Sequence, residues 1–419
     1  MAKSAKIDVG AIHAAIGRED YLTVIDEVRA AMIADPIAAM ADPTINDWLG
    51  RRYRDIFPQE AVSDSAVVKT AKAPFPLHLV DPRSARERVA RRMIKDISDE
   101  EIASELPPPQ LGSLGTTTLV FAPGLLTGLL PVLAFQSLWP RIQRRFGIRV
   151  IAVDSHPMRS SEDNVADLEN AIERGISVRT DLDAGYITEA DSPTPPEGDI
   201  LLMGYSKGSP DILTLLARRP DLAPRIRGFI GWAGAVGGSY AANDIYAKIK
   251  DNKNIDVMTD MTGSLGRQLF RLAPVVQLQR VNRRLDEYDV KGALNSLTTT
   301  YRDEFIAENQ DQFEELGIPM FFMSGATSIF DVPWFQVQGT FDLKKHDKFN
   351  DMQLTQAQAR PPGQNVPHLA MFNANHWDLS YDTFPWYATM GSTKLKNPFA
   401  REAALAAIVL FMSEIGLMD

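Results

Sequence analysis

Apolar positions change their spacing along the chain. Early on they recur every three or four residues: Leu22, Ile25, Val28, Ala31 and Met32 share one face of a helix expected over 21–32, which stops before Pro36. A second helix is expected over 84–97, and Ser98 followed by Glu101 has the spacing of a capping box at the start of a third. Leu106, Pro107, Pro108 and Pro109, then Gly112 and Gly115, make a stiff and then loose connector. Residues 1–110 therefore read as a mainly helical N-terminal extension to a body spanning 111–419.

Beyond the connector, short continuous apolar runs replace the stripe. Strands are expected over 116–122, 148–153, 199–204, 227–233, 318–324 and 368–373, with helices over 129–146, 206–218 and 398–417. Strands alternating with helices of this length imply right-handed crossovers, hence a mostly parallel open α/β sheet with helices on both faces. Ligands of such a sheet sit at its carboxyl edge. The alternation breaks over about 236–310, where Gly237-Gly238 gives a tight turn and polar, helix-like segments such as 243–252 and 266–272 follow. An inserted lid is expected there.

Composition narrows the function classes. The 419 residues carry 44 Lys plus Arg against 54 Asp plus Glu, a net charge of −10, which opposes an extended phosphate-binding surface and makes nucleic acid an unfavourable partner. The chain has no cysteine, so disulfides, thiolate nucleophiles and cysteine metal sites are excluded. Residues 111–140 are uncharged and long enough to cross a bilayer, but Pro123, Gly124, Gly128 and Pro131 divide them into a buried strand and a buried helix, so no transmembrane segment is expected. Residues 1–20 lack the unbroken apolar run of a secretory signal, which favours a cytoplasmic location.

Candidate chemistry centres on Gly204-Tyr205-Ser206-Lys207-Gly208, a GxSxG between an apolar run and an amphipathic helix. A turn that tight needs glycine on both flanks and lifts the serine hydroxyl above the sheet edge. The competing reading is a glycine-flanked serine that merely caps a helix. The helix start adds partial positive charge and a free amide at Lys207 for a developing oxyanion. The Lys207 side chain, four residues before Asp211, is expected to form a solvated pair with it.

At this motif the chain resembles the α/β-hydrolase family of esterase- and lipase-like serine hydrolases, over roughly residues 115–419. Two further segments match in order. Phe121-Ala122-Pro123-Gly124-Leu125 resembles the loop after an early strand, which implies that the Leu125 amide completes an oxyanion hole with Lys207; Pro-Gly stands where His-Gly is usual. Asn375-His376-Trp377 follows the last strand, which implies His376 as the base. The acid has two arrangements in the family. Phe349-Asn350-Asp351-Met352 resembles the later Asn-Asp-Gly loop, with Met352 in place of glycine, and implies Asp351; the earlier arrangement implies Asp331, and Asp347 is a third candidate.

The resemblance implies ester or thioester hydrolysis of a small-molecule substrate through an acyl-enzyme, with no cofactor and no metal. Two rivals remain: an acyltransferase using the same triad, and a noncatalytic member that binds a ligand or partner. The chain contains no GxxxxGK[ST] and no HExxH, and Gly231 to Gly238 does not fit GxGxxG. Trp232, Trp334, Trp377 and Trp386 are candidates for an acyl pocket or for ordinary core. Oligomeric state is not legible.

Overall fold

The computed structural model describes residues 9–72, 81–104, 106–181, 186–189, 193–252 and 284–419. The strands are β1 (Thr118–Ala122), β2 (Arg149–Ala152), β3 (Val178–Asp181), β4 (Tyr186–Glu189), β5 (Ile200–Ser206), β6 (Ile226–Gly234), β7 (Met320–Gly325) and β8 (His368–Phe372); all but the unexpected, more polar β3 and β4 are apolar runs too short and too β-rich to continue as helices. Six of them form one sheet in the order β2-β1-β5-β6-β7-β8, and every pairing in it is parallel. The antiparallel pair β3–β4 stands apart. The chain leaves β1 towards one side and resumes at β5 on the other, so strand order reverses between them; a crevice opens at that switch point.

Helices bury both faces. Towards the N-terminus run α1 (Val9–Gly17), α2 (Tyr21–Ala34), α3 (Pro36–Ala41), α4 (Pro43–Ala61), α5 (Ser65–Thr70), α6 (Ala85–Met93) and α7 (Asp99–Ala103). Later in the chain run α8 (Trp139–Phe146), α9 (Ser161–Arg174), α10 (Gly208–Arg218), α11 (Tyr240–Ile249), α12 (Val290–Asn295), α13 (Thr299–Glu315), α14 (Val337–Leu343) and α15 (Arg401–Glu414). Val165, Leu168, Ile212, Leu216 and Phe313 from α9, α10 and α13 fill the core on one face, while α4, α8 and α15 contribute to the larger core on the other.

The N-terminal helices are bound tightly to the sheet. Helix α4 packs on α15 and β8. Arg52 donates from Nε and Nη2 to the two carboxylate oxygens of Glu414, at 2.6 and 2.7 Å, with all these groups buried. After α6 the chain lies antiparallel to β8, with Lys95 N–H donating to Met371 O and Asn373 N–H to Met93 O, which covers an otherwise open sheet edge.

Several expected elements shift. The helix expected over 129–146 is confined to α8; Gly128 and Pro131 lie in turns before it, and Pro140 opens it. Its backbone is satisfied elsewhere: Phe135 N–H reaches Ser380 O. A reciprocal capping box forms at Ser84 and Glu87, whereas Ser98 caps the Glu101 amide. The region expected as a lid over 236–310 does not end at 310, because α13 crosses that boundary and packs on α10 as the connection into β7. Within it, the expected segment 266–272 lies outside the described residues. Among the described residues no helix is long and apolar enough to cross a membrane.

Candidate active site

Strand β5 is buried along its length until Ser206, where the chain reverses into α10. Ser206 has φ of 51°, a left-handed conformation that a serine adopts only when its surroundings enforce it. Those surroundings are visible at the flanking glycines. A Cβ on Gly208 would lie 2.0 Å from Ala122 O, and one on Gly204 would lie 2.6 Å from the Ser209 Cα. Ser209 Oγ closes the turn by donating to Gly204 O at 2.7 Å.

Lys207 begins α10, but its side chain does not form the expected solvated pair. Lys207 Nζ and Asp211 Oδ1 are 2.6 Å apart and buried, and Asn164 Nδ2 donates to the second Asp211 oxygen at 2.9 Å. The cause is α9, which packs over that face of α10 and removes it from water. The Lys207 charge is therefore spent inside the α9–α10 packing. Leu125 approaches from the loop after β1; a Cβ on Gly124 would lie 2.9 Å from Ser206 Cβ, so that loop runs directly beside the serine. Neither the Leu125 amide nor the Lys207 amide is spent on a backbone hydrogen bond among the described residues.

His376 lies on the turn after β8, held by Asn375, whose Oδ1 accepts from the amides of Trp377 and Asp378. Its ring is buried, and stacks on Tyr205 with centroids 5.0 Å apart. His376 Nδ1 is 2.7 Å from Asp351 Oδ2. Because a carboxylate only accepts, this nitrogen carries the proton in the neutral ring and Nε2 presents a lone pair. Nε2 is buried without a hydrogen-bond partner.

Asp351 is fixed before it meets the imidazole. Its Oδ1 accepts from the amides of Gln353 and Leu354 at 3.0 and 2.7 Å, and its own carbonyl accepts from His376 N–H at 2.8 Å. Met352, at the position where the family loop has glycine, adopts φ of 78°. Asp331 and Asp347 are not at the ring. The half-exposed Asp331 accepts from Ser328 Oγ and pairs with Lys394, and Asp347 accepts from the Phe349 amide. His368 is inside β8, with Nε2 3.0 Å from Ser324 Oγ.

Ser206, His376 and Leu125 line one narrow, partly open cavity, walled further by Leu130, Leu297 and Trp377. Of the four tryptophans, Trp377 reaches this cavity; Trp232 is core, donating to Leu379 O, and Trp334 and Trp386 are exposed. Tyr205 and Asn375 were not singled out from the sequence, although both sit inside the matched motifs. Among the described residues no group of three His, Asp or Glu could hold a metal ion.

No protein-family model and no curated protein sequence matches the chain. Solved structures do. A metagenomic carboxyl esterase superposes with a TM-score of 0.59 at 22% identity, over 87% of this chain and 92% of that one. The mature form of a Bacillus licheniformis lipase gives 0.42 at 17% identity, over 65% and 89%. A Staphylococcus hyicus lipase gives 0.43 at 11%, over 74% and 98%. Of these three, the first fixes a common fold.

Proposed function

This chain has the α/β-hydrolase fold, and from that premise we propose that it is a serine hydrolase cleaving a carboxylic ester or thioester through an acyl-enzyme on Ser206. The observation that carries the reading is the state of His376: buried, with Nδ1 committed to Asp351 and Nε2 unpartnered in the cavity that Ser206 also lines. The carboxyl esterase chemistry named for the first compared structure agrees with it.

In this reading His376 Nε2 takes the Ser206 proton as Oγ attacks the carbonyl carbon. Asp351 keeps the imidazole in the required tautomer and stabilises its cation. The oxyanion is met by the amides of Leu125 and Lys207, the latter at the positive end of α10. His376 then returns the proton to the leaving alcohol or thiol, and a water activated by the same nitrogen releases the acid. Ser239, Ala242 and Leu297 wall the cavity from the chain beyond β6, which supports a covering role for the described parts of that region.

A fluorophosphonate probe tests the nucleophile. The wild-type protein is expected to be labelled at Ser206 and to hydrolyse a p-nitrophenyl ester. Ser206→Ala is expected to escape labelling and lose a factor of about 10⁴ or more in turnover. A variant that keeps more than about a tenth of the rate overturns the assignment.

A further inference from the structure

Two segments at the carboxyl edge, 328–348 after β7 and 384–397 after β8, carry an apolar surface that the ester-hydrolysis reading does not use. Phe330 is 79% exposed, Trp334 62%, Phe341 55%, Trp386 86% and Tyr387 55%, with Val337 and Met390 also exposed. The two segments are neighbours, since Trp334 Nε1 donates to Met390 O at 3.1 Å and Lys394 Nζ lies 3.3 Å from Asp331. Trp334, Val337 and Phe341 recur at helical spacing from the turn before α14 into that helix. So many large apolar side chains exposed on two neighbouring segments mark a contact surface rather than chance exposure.

Its charge says what it contacts. The chain as a whole carries −10, yet these two segments hold five lysines, Lys344, Lys345, Lys348, Lys394 and Lys396, against three aspartates, Asp331, Asp342 and Asp347. All five lysines are exposed. A symmetric second copy would set these lysines against themselves, which disfavours self-association through this face. Tryptophan and tyrosine beside lysine suit the boundary of a lipid bilayer, where the rings settle at headgroup level and the ammonium groups meet anionic phosphates. The surface also continues inward: Phe335 lies against Trp377, ring centroids 6.1 Å apart, and Trp377 lines the cavity of Ser206.

We propose that this face docks the protein peripherally on an anionic phospholipid surface. The docking goes beyond the ester-hydrolysis reading and is measured without it. The full chain is expected to sediment with vesicles of equimolar phosphatidylglycerol and phosphatidylcholine, more weakly with phosphatidylcholine alone, and less as salt rises. The double variant Trp334→Ser, Trp386→Ser is expected to lose about tenfold or more in partitioning, with an unchanged circular dichroism spectrum and unchanged hydrolysis of a water-soluble monomeric ester. Absence of vesicle binding overturns the proposal, as does binding that the double variant retains. A dimer in lipid-free solution that the variant dissociates also overturns it, because the face is then a self-contact.

Discussion

His376 spends its two ring nitrogens differently, and the difference ranks the carboxylates. Asp351 holds Nδ1 from a loop in which two amides already fix its other oxygen, so the imidazole meets an acceptor that has little freedom left to lose. Asp331 offers its side chain to Ser328 and Lys394 at the surface. Asp351→Asn keeps the shape but removes the charge and the tautomer control, and ester turnover is expected to fall by about 10⁴. Asp331→Asn is expected to leave kcat/KM unchanged and stability within about 0.5 kcal/mol of wild type. Steady-state kinetics on the two purified variants decides it; an inactive Asp331→Asn with an active Asp351→Asn would move the acid to the earlier loop.

At the scale of elements, the turn from β5 into α10 is held by contact between backbones. A methyl at residue 208 would fall against the carbonyl of Ala122 in β1, which the sheet cannot move. Gly208→Ala is therefore expected to cost about 2 kcal/mol or more and to displace Ser206 enough to silence the ester reaction. Gly147 is the control. It ends α8 with φ of 69°, yet a Cβ there meets nothing within 4 Å, so Gly147→Ala is expected to cost only about 1 kcal/mol of backbone strain and to keep activity. Urea unfolding and the ester assay separate the two; a Gly208→Ala protein as stable and active as Gly147→Ala would show that crowding does not hold the elbow.

Over the whole molecule, the helices before residue 104 and the last helix share a buried charge cluster, and this couples the two ends of the chain. Glu414→Ala would leave Arg52 with Asp55 and Pro107 O but without its bidentate partner, at an expected cost of about 3 kcal/mol in chemical denaturation. A loss below about 0.5 kcal/mol would show the cluster to be dispensable. Acid acts on other groups that packing desolvates. Burial, helped by nearby Arg54, holds His368 down to about 4, and burial holds His156 to about 4. Both bind protons more weakly when folded, so their stabilisation is complete above about pH 6.5 and lost as pH falls towards 4. Asp378, pushed up to about 6 by burial despite Arg401, has the opposite sign: its contribution falls as pH rises from about 4 to 6. His368→Gln is expected to remove part of the acid sensitivity, so that between pH 7 and 4.5 the wild type loses about 2 kcal/mol more than the variant. Parallel stability curves for the two proteins would contradict this.

The sequence by itself determined the strand and helix alternation, because apolar runs of different length and period report local burial directly, and it determined the parallel α/β class that follows from it. It also marked Ser206 and its two glycines, since a turn of that tightness admits few residue types. Local pattern could not decide partners that are distant in sequence. The stripe on α2 was legible, but that α4 would bury Arg52 against Glu414 was not, since each looks like a surface charge on its own helix. Lys207 and Asp211 read as a solvated pair for the same reason; only α9 packing over them puts the pair in the interior. Chain order admits three aspartates and the loop resemblance leans to Asp351; the tertiary structure brings Asp351 to the His376 ring, because that depends on where the loop after α14 returns to the sheet edge. The aromatic residues were the least legible: tryptophan favours core, cavity and surface contact alike, and packing sent Trp232, Trp377 and Trp386 to three different places.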